Sequence, residues 1–216
     1  MEIRRTANAG VLLTLDDVKI LLDGVSREVK PYPATPPDIA TELISCPPDV
    51  ALFTHNHEDH FDPDYCGKIE KPVYATQQTA NELPGIIQME KVAVIGKVRV
   101  NAVPTRHMGH YGKTTEHQSY VVEGSQVVWF LGDASPTELR KLASFPKPDV
   151  LLIPYPYIST PAALKMVEEY LPCKIVLLHM PLQTDDPEGI WQGASAGMEH
   201  LKAYLYVPQM GEDMKI

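Results

Sequence analysis

The chain contains the hexapeptide His-Asn-His-Glu-Asp-His, which begins at His55 and follows an apolar run at residues 50–53. Side chains two positions apart point to the same side of an extended chain, so His55 and His57 can bind one metal ion. Asp59 and His60 lie on the turn that follows and can reach a second ion nearby. A polar turn that carries histidines by accident is the alternative. Three imidazoles and the Asp59 carboxylate within six positions favour the metal site instead.

Strands and helices have to bring this motif to an accessible edge. The sequence predicts a hairpin over 10–15 and 18–23, a proline-rich loop over 24–37, and a helix that ends near residue 45. A strand at 49–53 then delivers the motif. Further strands are predicted at 73–74, 92–94, 98–103, 119–122, 127–130, 150–153 and 175–178, and helices at 76–83, 136–143, 161–171 and 187–206, with a loop over 104–117. Strands grouped early and alternating with helices later predict a mixed sheet with helices packed outside.

Composition and charge narrow the function classes. The 216 residues carry a formal net charge of -9 and contain no basic run, which disfavours nucleic acid as a partner. No stretch of 18 apolar residues is present, so we expect neither a transmembrane helix nor membrane association. Three widely spaced cysteines and an N-terminus without a secretory signal predict a cytoplasmic protein. Of these cysteines, Cys66 follows the motif closely enough for a ligand role, but a small buried residue is the favoured interpretation.

His55-x-His57-x-Asp59-His60 after a hydrophobic strand resembles the signature of the metallo-β-lactamase superfamily of metal-dependent hydrolases. The resemblance implies an α+β fold, a four-layer αβ/βα sandwich, formed by one domain over residues 1–216. It also implies a third histidine, an aspartate and a last histidine, each at the end of a strand further along the chain.

Each implied ligand has a candidate. His107 follows the strand that ends near Val103 and is favoured as the third histidine over its competitor His110, which would then be a substrate contact or a proton donor. Asp133 follows Gly132 after an apolar strand, and His179 ends the strand at 175–178. His117 would face the cleft or have no role in it, and His200 is expected on the surface of the last helix.

The resemblance divides these residues between two divalent ions about 3.5–4 Å apart. His55, His57 and His107 would bind the first ion; Asp59, His60 and His179 would bind the second; and Asp133 would bind both. A water between the ions would lose its proton and attack a carbonyl carbon or a phosphorus, while Asp59 orients it and later carries a proton. Zinc is expected, with manganese or iron as alternatives. The diiron redox branch typically has glutamate in place of His57, so this histidine favours hydrolysis.

The substrate is predicted less sharply. The chain resembles small bacterial hydrolases near the sugar-phosphate lactonase and phosphodiesterase-like branch, which implies a small, anionic ester, lactone or phosphodiester. Arg106, His110 and Lys113 are candidates to meet a phosphate or carboxylate, and Tyr155 and Tyr157 to pack over a ligand, although ordinary loop residues are the favoured interpretation for each. A nuclease or nucleotide phosphodiesterase of the same superfamily, or a non-catalytic metal-binding protein, is the alternative function. The sequence leaves homo-oligomerisation open.

Overall fold

The computed structural model describes residues 1–171 and 173–216, which form two seven-stranded sheets with helices on their outer faces. The strands are β1 (Glu2–Arg5), β2 (Val11–Leu15), β3 (Val18–Leu22), β4 (Val50–Leu52), β5 (Val73–Ala75), β6 (Ile86–Gln88), β7 (Val92–Ile95), β8 (Val98–Arg106), β9 (Glu116–Glu123), β10 (Val127–Phe130), β11 (Val150–Pro154), β12 (Lys174–Leu178), β13 (Leu205–Tyr206) and β14 (Asp213–Lys215). One sheet has the order β14-β1-β2-β3-β4-β5-β6, and the other has the order β13-β12-β11-β10-β9-β8-β7.

The helices are α1 (Pro37–Ser45), α2 (Pro63–Cys66), α3 (Gln77–Ala80), α4 (Leu139–Leu142), α5 (Pro161–Glu168) and α6 (Ile190–Leu201), with 3-10 turns at Gly109–Lys113, Pro136–Glu138 and Tyr155–Tyr157. Of these, α1 and α2 pack on the first sheet, and α4, α5 and α6 pack on the second. Within the described part of the chain, no helix has the length and apolarity needed to cross a bilayer.

Side-chain alternation along the strands builds the layers. On β10, Val128 and Phe130 point into an apolar cluster that contains residues of both sheets, whereas Trp129 points into the cluster beneath the outer helices. The parallel strands β11 and β12 alternate in the same way, which explains why their sequences are apolar at nearly every position. The two sheets therefore pack face to face between helical layers, and the predicted four-layer αβ/βα sandwich is confirmed.

Several element predictions need correction. The segment 104–117 is not a loop throughout, because β8 runs to Arg106, β9 begins at Glu116, and the 3-10 turn at Gly109–Lys113 lies between them, with Thr105 opposite His117. The last helix spans Ile190–Leu201 instead of 187–206, since Leu205–Tyr206 pairs with β12 as an edge strand. The strands β1, β6 and β14 were not predicted.

Strand direction brings the candidate ligands to one edge of the sandwich. β3 and β4 are parallel neighbours, as are β10, β11 and β12, so their carboxyl ends face the same way. The hexapeptide follows β4, Asp133 follows β10, and His179 directly follows β12. β8 runs antiparallel to β9, and its own end carries His107 to the same place. Both sheets thus contribute to a single site.

Candidate metal centre

The first group of candidate ligands consists of His55, His57 and His107. One nitrogen of each ring lies within 4.8 Å of the others. His55 and His107 are buried, and His57 is partly exposed. Nε2 of His57 lies 3.2 Å from the hydroxyl of Thr115, which leaves Nδ1 of His57 for a cation.

The second group consists of Asp59, His60 and His179, and one ligand atom of each side chain again lies within 4.8 Å of the others. Nε2 of His179 lies 3.1 Å from Oδ2 of Asp59, and Nε2 of His60 lies 3.9 Å from the same oxygen. All three side chains are buried. Two imidazoles and one carboxylate are a ligand set that zinc, manganese and iron all accept.

Asp133 lies between the two groups. Its Oδ1 is 3.4 Å from Nε2 of His60, and its Oδ2 is 3.6 Å from Nε2 of both His107 and His179. One carboxylate therefore faces ligands of both groups. A carboxylate in this place can bind two cations at once and offset the repulsion between them.

The donor atoms fit a pair of cations. Nε2 of His55, His60 and His107 and Oδ1 of Asp133 are buried and make no hydrogen bond to any residue of the described chain. Buried polar atoms in folded proteins normally have a partner, and here four lone-pair donors share one small volume. A divalent cation can accept lone pairs from several such atoms at once, whereas one N–H or O–H group of the protein would reach only one of them.

Hydrogen bonds on the opposite ring nitrogens orient two of these ligands. The Thr54 hydroxyl donates to Oδ2 of Asp23 at 2.6 Å, so it accepts from Nδ1 of His55 at 2.9 Å. Nδ1 of His60 lies 2.8 Å from the same Asp23 oxygen and donates to it. Both rings therefore carry their proton on Nδ1 and present Nε2 to the site. These bonds also account for the close grouping of Asp23 with His55 and His60.

His107 and His117 complete this supporting layer. Nδ1 of His107 lies 2.7 Å from the carbonyl oxygen of Met108, which again directs Nε2 to the cations. His117 is buried, and its Nε2 accepts the backbone N–H of Asp133 at 3.0 Å while Nδ1 donates to Thr105 at 2.8 Å. Both ring nitrogens of His117 are occupied, so this residue positions Asp133 from behind and does not face the cleft.

Backbone conformation holds two further ligands. Gly132 has φ +51°, and a Cβ there would lie 2.7 Å from the Thr54 side chain, so glycine is required beside Asp133. His179 itself adopts a left-handed backbone with φ 59°, which a non-glycine residue reaches only under constraint. Its N–H donates to the carbonyl oxygen of Asn8 at 3.1 Å. The buried Arg5 guanidinium donates to that oxygen and to the carbonyl oxygen of Met180, thereby fixing both flanks of His179.

Burial and charge set the protonation of the ligands. Burial lowers the pKa of His55 well below its ordinary value, so this imidazole is neutral and able to bind a cation. Burial also lowers the pKa of His60, but the carboxylates of Asp133 and Asp59 outweigh it and raise the pKa well above the ordinary value, so a cation that binds Nε2 would displace a proton from it. Burial raises the pKa of Asp133, and the neighbouring His179 and His60 overcome this and lower it. The carboxylates thus stay ionised in the form that binds metal.

The predicted substrate contacts lie in different places. His110 is exposed on the 3-10 turn at Gly109–Lys113 and lines the cavity beside His179 with Tyr155. Arg106 lines a different cavity, together with Glu116 and Lys141, and Lys113 is exposed. Tyr157 is fully buried in the core beneath the outer helices, so the prediction that it packs over a ligand is wrong.

Two peripheral predictions are confirmed. Cys66 is buried in the apolar cluster beneath α1 and α2, and burial raises the pKa of its thiol to about 12. His200 is exposed on α6, where its Nε2 lies 2.6 Å from Oε1 of Glu168. Asp23, Thr54 and the positioning role of His117 were not predicted.

The fold and this His/Asp cluster together define the class of metal-binding proteins built on the metallo-β-lactamase sandwich. The family model for the beta-lactamase superfamily domain matches residues 2–177. The chain belongs to that superfamily. No curated protein matches the sequence significantly.

Solved structures resemble this fold along its whole length. A possible metal-dependent hydrolase from Veillonella parvula DSM 2008 is 15% identical with a TM-score of 0.76, and the match covers 100% of this chain and 99% of that one. An isothiocyanate hydrolase from Delia radicum gut bacteria is 15% identical with a TM-score of 0.75 and the same coverage. CmlA, a diiron β-hydroxylase from Streptomyces venezuelae, is 14% identical with a TM-score of 0.73, covering 100% of this chain and 54% of that one.

Proposed function

We propose that the protein is a metal-dependent hydrolase that cleaves a small molecule at a centre of two divalent cations, most simply zinc. The observation that carries this proposal is the position of Asp133 between two groups of three ligands whose free donor atoms converge. His55, His57 and His107 would hold one cation and Asp59, His60 and His179 the other. Bound there, such cations lower the pKa of a water toward neutrality and polarise the bond to be cut.

The chain's own residues prepare the rest of the reaction. Asp59 is buried with its carboxylate directed at His179 and His60, where it can orient a nucleophilic water and accept its proton. His110 lines the cavity that also exposes Asp133 and His179, and it can donate a proton to a leaving group. The supporting bonds from Asp23, Thr54 and His117 keep the ligands rigid, which reduces reorganisation during the reaction.

A hydrolysis assay tests the proposal. The zinc-loaded protein is tested with bis(p-nitrophenyl) phosphate, a p-nitrophenyl ester, a lactone panel and phenyl isothiocyanate, since one similarly folded protein is an isothiocyanate hydrolase. We expect turnover of at least one probe that EDTA abolishes and that added zinc or manganese restores. His179→Ala removes a ligand and should abolish turnover, whereas His200→Ala, an exposed histidine on α6, should leave it unchanged. Turnover that survives EDTA and His179→Ala would contradict the proposal.

A further inference from the structure

The cavity above the candidate ligands has two adjoining lobes, of about 460 and 220 Å³. The larger lobe extends past His57 toward Val29, and the smaller lobe extends toward Tyr155. The residues that line both lobes are Tyr32, His107, Tyr111, Asp133 and His179. Both lobes therefore reach Asp133 beside the same two tyrosines.

Each shared tyrosine packs against a different ligand group. The ring of Tyr32 meets His179 edge-on, with centroids 4.2 Å apart at 80°. The ring of Tyr111 meets His57 with centroids 4.8 Å apart at 69°. Tyr155 adds a third ring in the smaller lobe, 6.4 Å from His179. Aromatic rings offer large, rigid apolar surface, and their edges and faces favour contact with another planar group.

The charges that line this cavity all have one sign. Among the described residues, neither lobe is lined by a lysine or an arginine, and the acidic residues that line them are Glu58, Asp59 and Asp133. The nearby cation Arg27 is engaged by Glu58, Asp62 and Asp64 at 3.4, 3.2 and 2.8 Å. Apart from the imidazole of His110 and the carboxamide of Asn56, a second negative charge on a ligand, away from the cations, would thus meet carboxylates and aromatic rings and no lysine or arginine.

We propose that the substrate is uncharged apart from the group that meets the cations, and that its planar, apolar portion lies between Tyr32 and Tyr111. This inference rests on the proposed function and specifies its substrate class. It replaces the sequence-based expectation of an anionic substrate held by Arg106 and Lys113, because neither side chain lines the cavity. Neutral aryl esters, aryl lactones and aryl isothiocyanates fit the proposal, and sugar phosphates do not.

Ligand binding tests the inference without turnover. Benzohydroxamate and 4-carboxybenzohydroxamate share one metal-binding group and differ by a single distal charge. Calorimetric titration of the zinc-loaded protein should show that the carboxylate weakens binding by about tenfold or more, because its charge is left without a partner. Tyr155→Arg supplies that partner and should abolish or reverse the preference, whereas Tyr206→Arg, on the exposed edge strand β13, should not. Equal or tighter binding of the carboxylated probe by the wild-type protein would overturn the inference.

Paired substrates separate failure of this inference from failure of the proposed function. 4-Nitrophenyl butyrate is neutral, and mono-4-nitrophenyl succinate carries one distal carboxylate. Faster turnover of the neutral ester supports the inference, and faster turnover of the succinate overturns it while hydrolysis itself stands. Discrimination between the hydroxamates with no hydrolysis of these esters or of any other probe in the panel would contradict the proposed function and uphold the ligand class.

Discussion

Asp23→Asn tests whether the residues behind the ligands set metal affinity. Asp23 is fully buried and accepts three hydrogen bonds: Oδ1 accepts the Thr54 N–H at 2.7 Å, and Oδ2 accepts the Thr54 hydroxyl at 2.6 Å and Nδ1–H of His60 at 2.8 Å. A carboxamide of the same shape keeps one acceptor oxygen, and its NH2 group replaces Oδ2. His60 then has no acceptor for its Nδ1 proton and must carry the proton on Nε2, the atom that faces the cation.

Loss of a hydrogen bond of this kind behind a metal ligand typically weakens metal binding by about 10–100-fold, or roughly 1.4–2.7 kcal/mol. The loss should fall mainly on the cation held by Asp59, His60 and His179. Competition with a chromophoric chelator measures both zinc affinities, and ¹⁵N-detected NMR of the histidine rings reports the tautomer of His60. We expect one of the two sites to weaken and the His60 proton to move to Nε2.

Asp17→Asn is the matched control. Asp17 lies at the opposite end of β3, in the turn before it, and makes no side-chain hydrogen bond or ion pair within the described residues. The two zinc affinities of the Asp17→Asn protein should equal those of the wild type. If Asp23→Asn also binds two zinc ions with wild-type affinity and leaves the His60 tautomer unchanged, the proposed role of Asp23 is refuted.

Three further predictions concern stability. Gly132→Ala should lower the free energy of unfolding, measured by chemical denaturation, by about 2 kcal/mol or more, because its φ is positive and the new Cβ would contact Thr54. Gly189→Ala is the control, since Gly189 has a similar φ of +67° but open space around it. An equal loss in both variants would refute the argument from the Thr54 contact. Arg5→Met should lower the free energy of unfolding by about 3 kcal/mol, because four carbonyl oxygens lose their hydrogen-bond donor. Arg4 is partly exposed, so Arg4→Met should lower it by under about 1 kcal/mol. Similar losses in both variants would contradict the structural role of Arg5. Zinc at about 100 times its dissociation constant should raise the melting temperature by roughly 5–11 °C over EDTA-treated protein, and an unchanged melting temperature would argue against a bound cation.

The candidate ligands could be predicted from the sequence because each one follows an apolar strand. The structure gathers all seven into the two groups and the shared aspartate that the family resemblance implied. Asp23 escaped notice although it also follows an apolar strand, β3. Asp23 could have been predicted as part of the site, since β3 and β4 are parallel neighbours and their carboxyl ends lie at one edge of the sheet. His117 was missed because its role depends on a cross-strand pairing with Thr105, which lies 12 residues away and has no local pattern.

Strands at or next to a sheet edge, namely β1, β6, β13 and β14, were not predicted from the sequence. β1 reads Glu-Ile-Arg-Arg, and three charges in four residues do not suggest a strand, yet pairing with β2 and β14 forms one and buries Arg5. The final helix was predicted too long because Leu205 and Tyr206 continue a helical apolar pattern. Their pairing with Ile175 and Val176 on β12 decides the conformation instead, and such long-range contacts cannot be inferred from local periodicity.

Anomalous diffraction at the zinc absorption edge tests the central claim most directly, using crystals of protein purified without chelator and supplied with zinc. Two peaks are predicted, one among His55, His57 and His107 and one among Asp59, His60 and His179, with the carboxylate of Asp133 in contact with both. The absence of any peak, or one peak confined to the group of Asp23, His55 and His60, would contradict the two-cation centre.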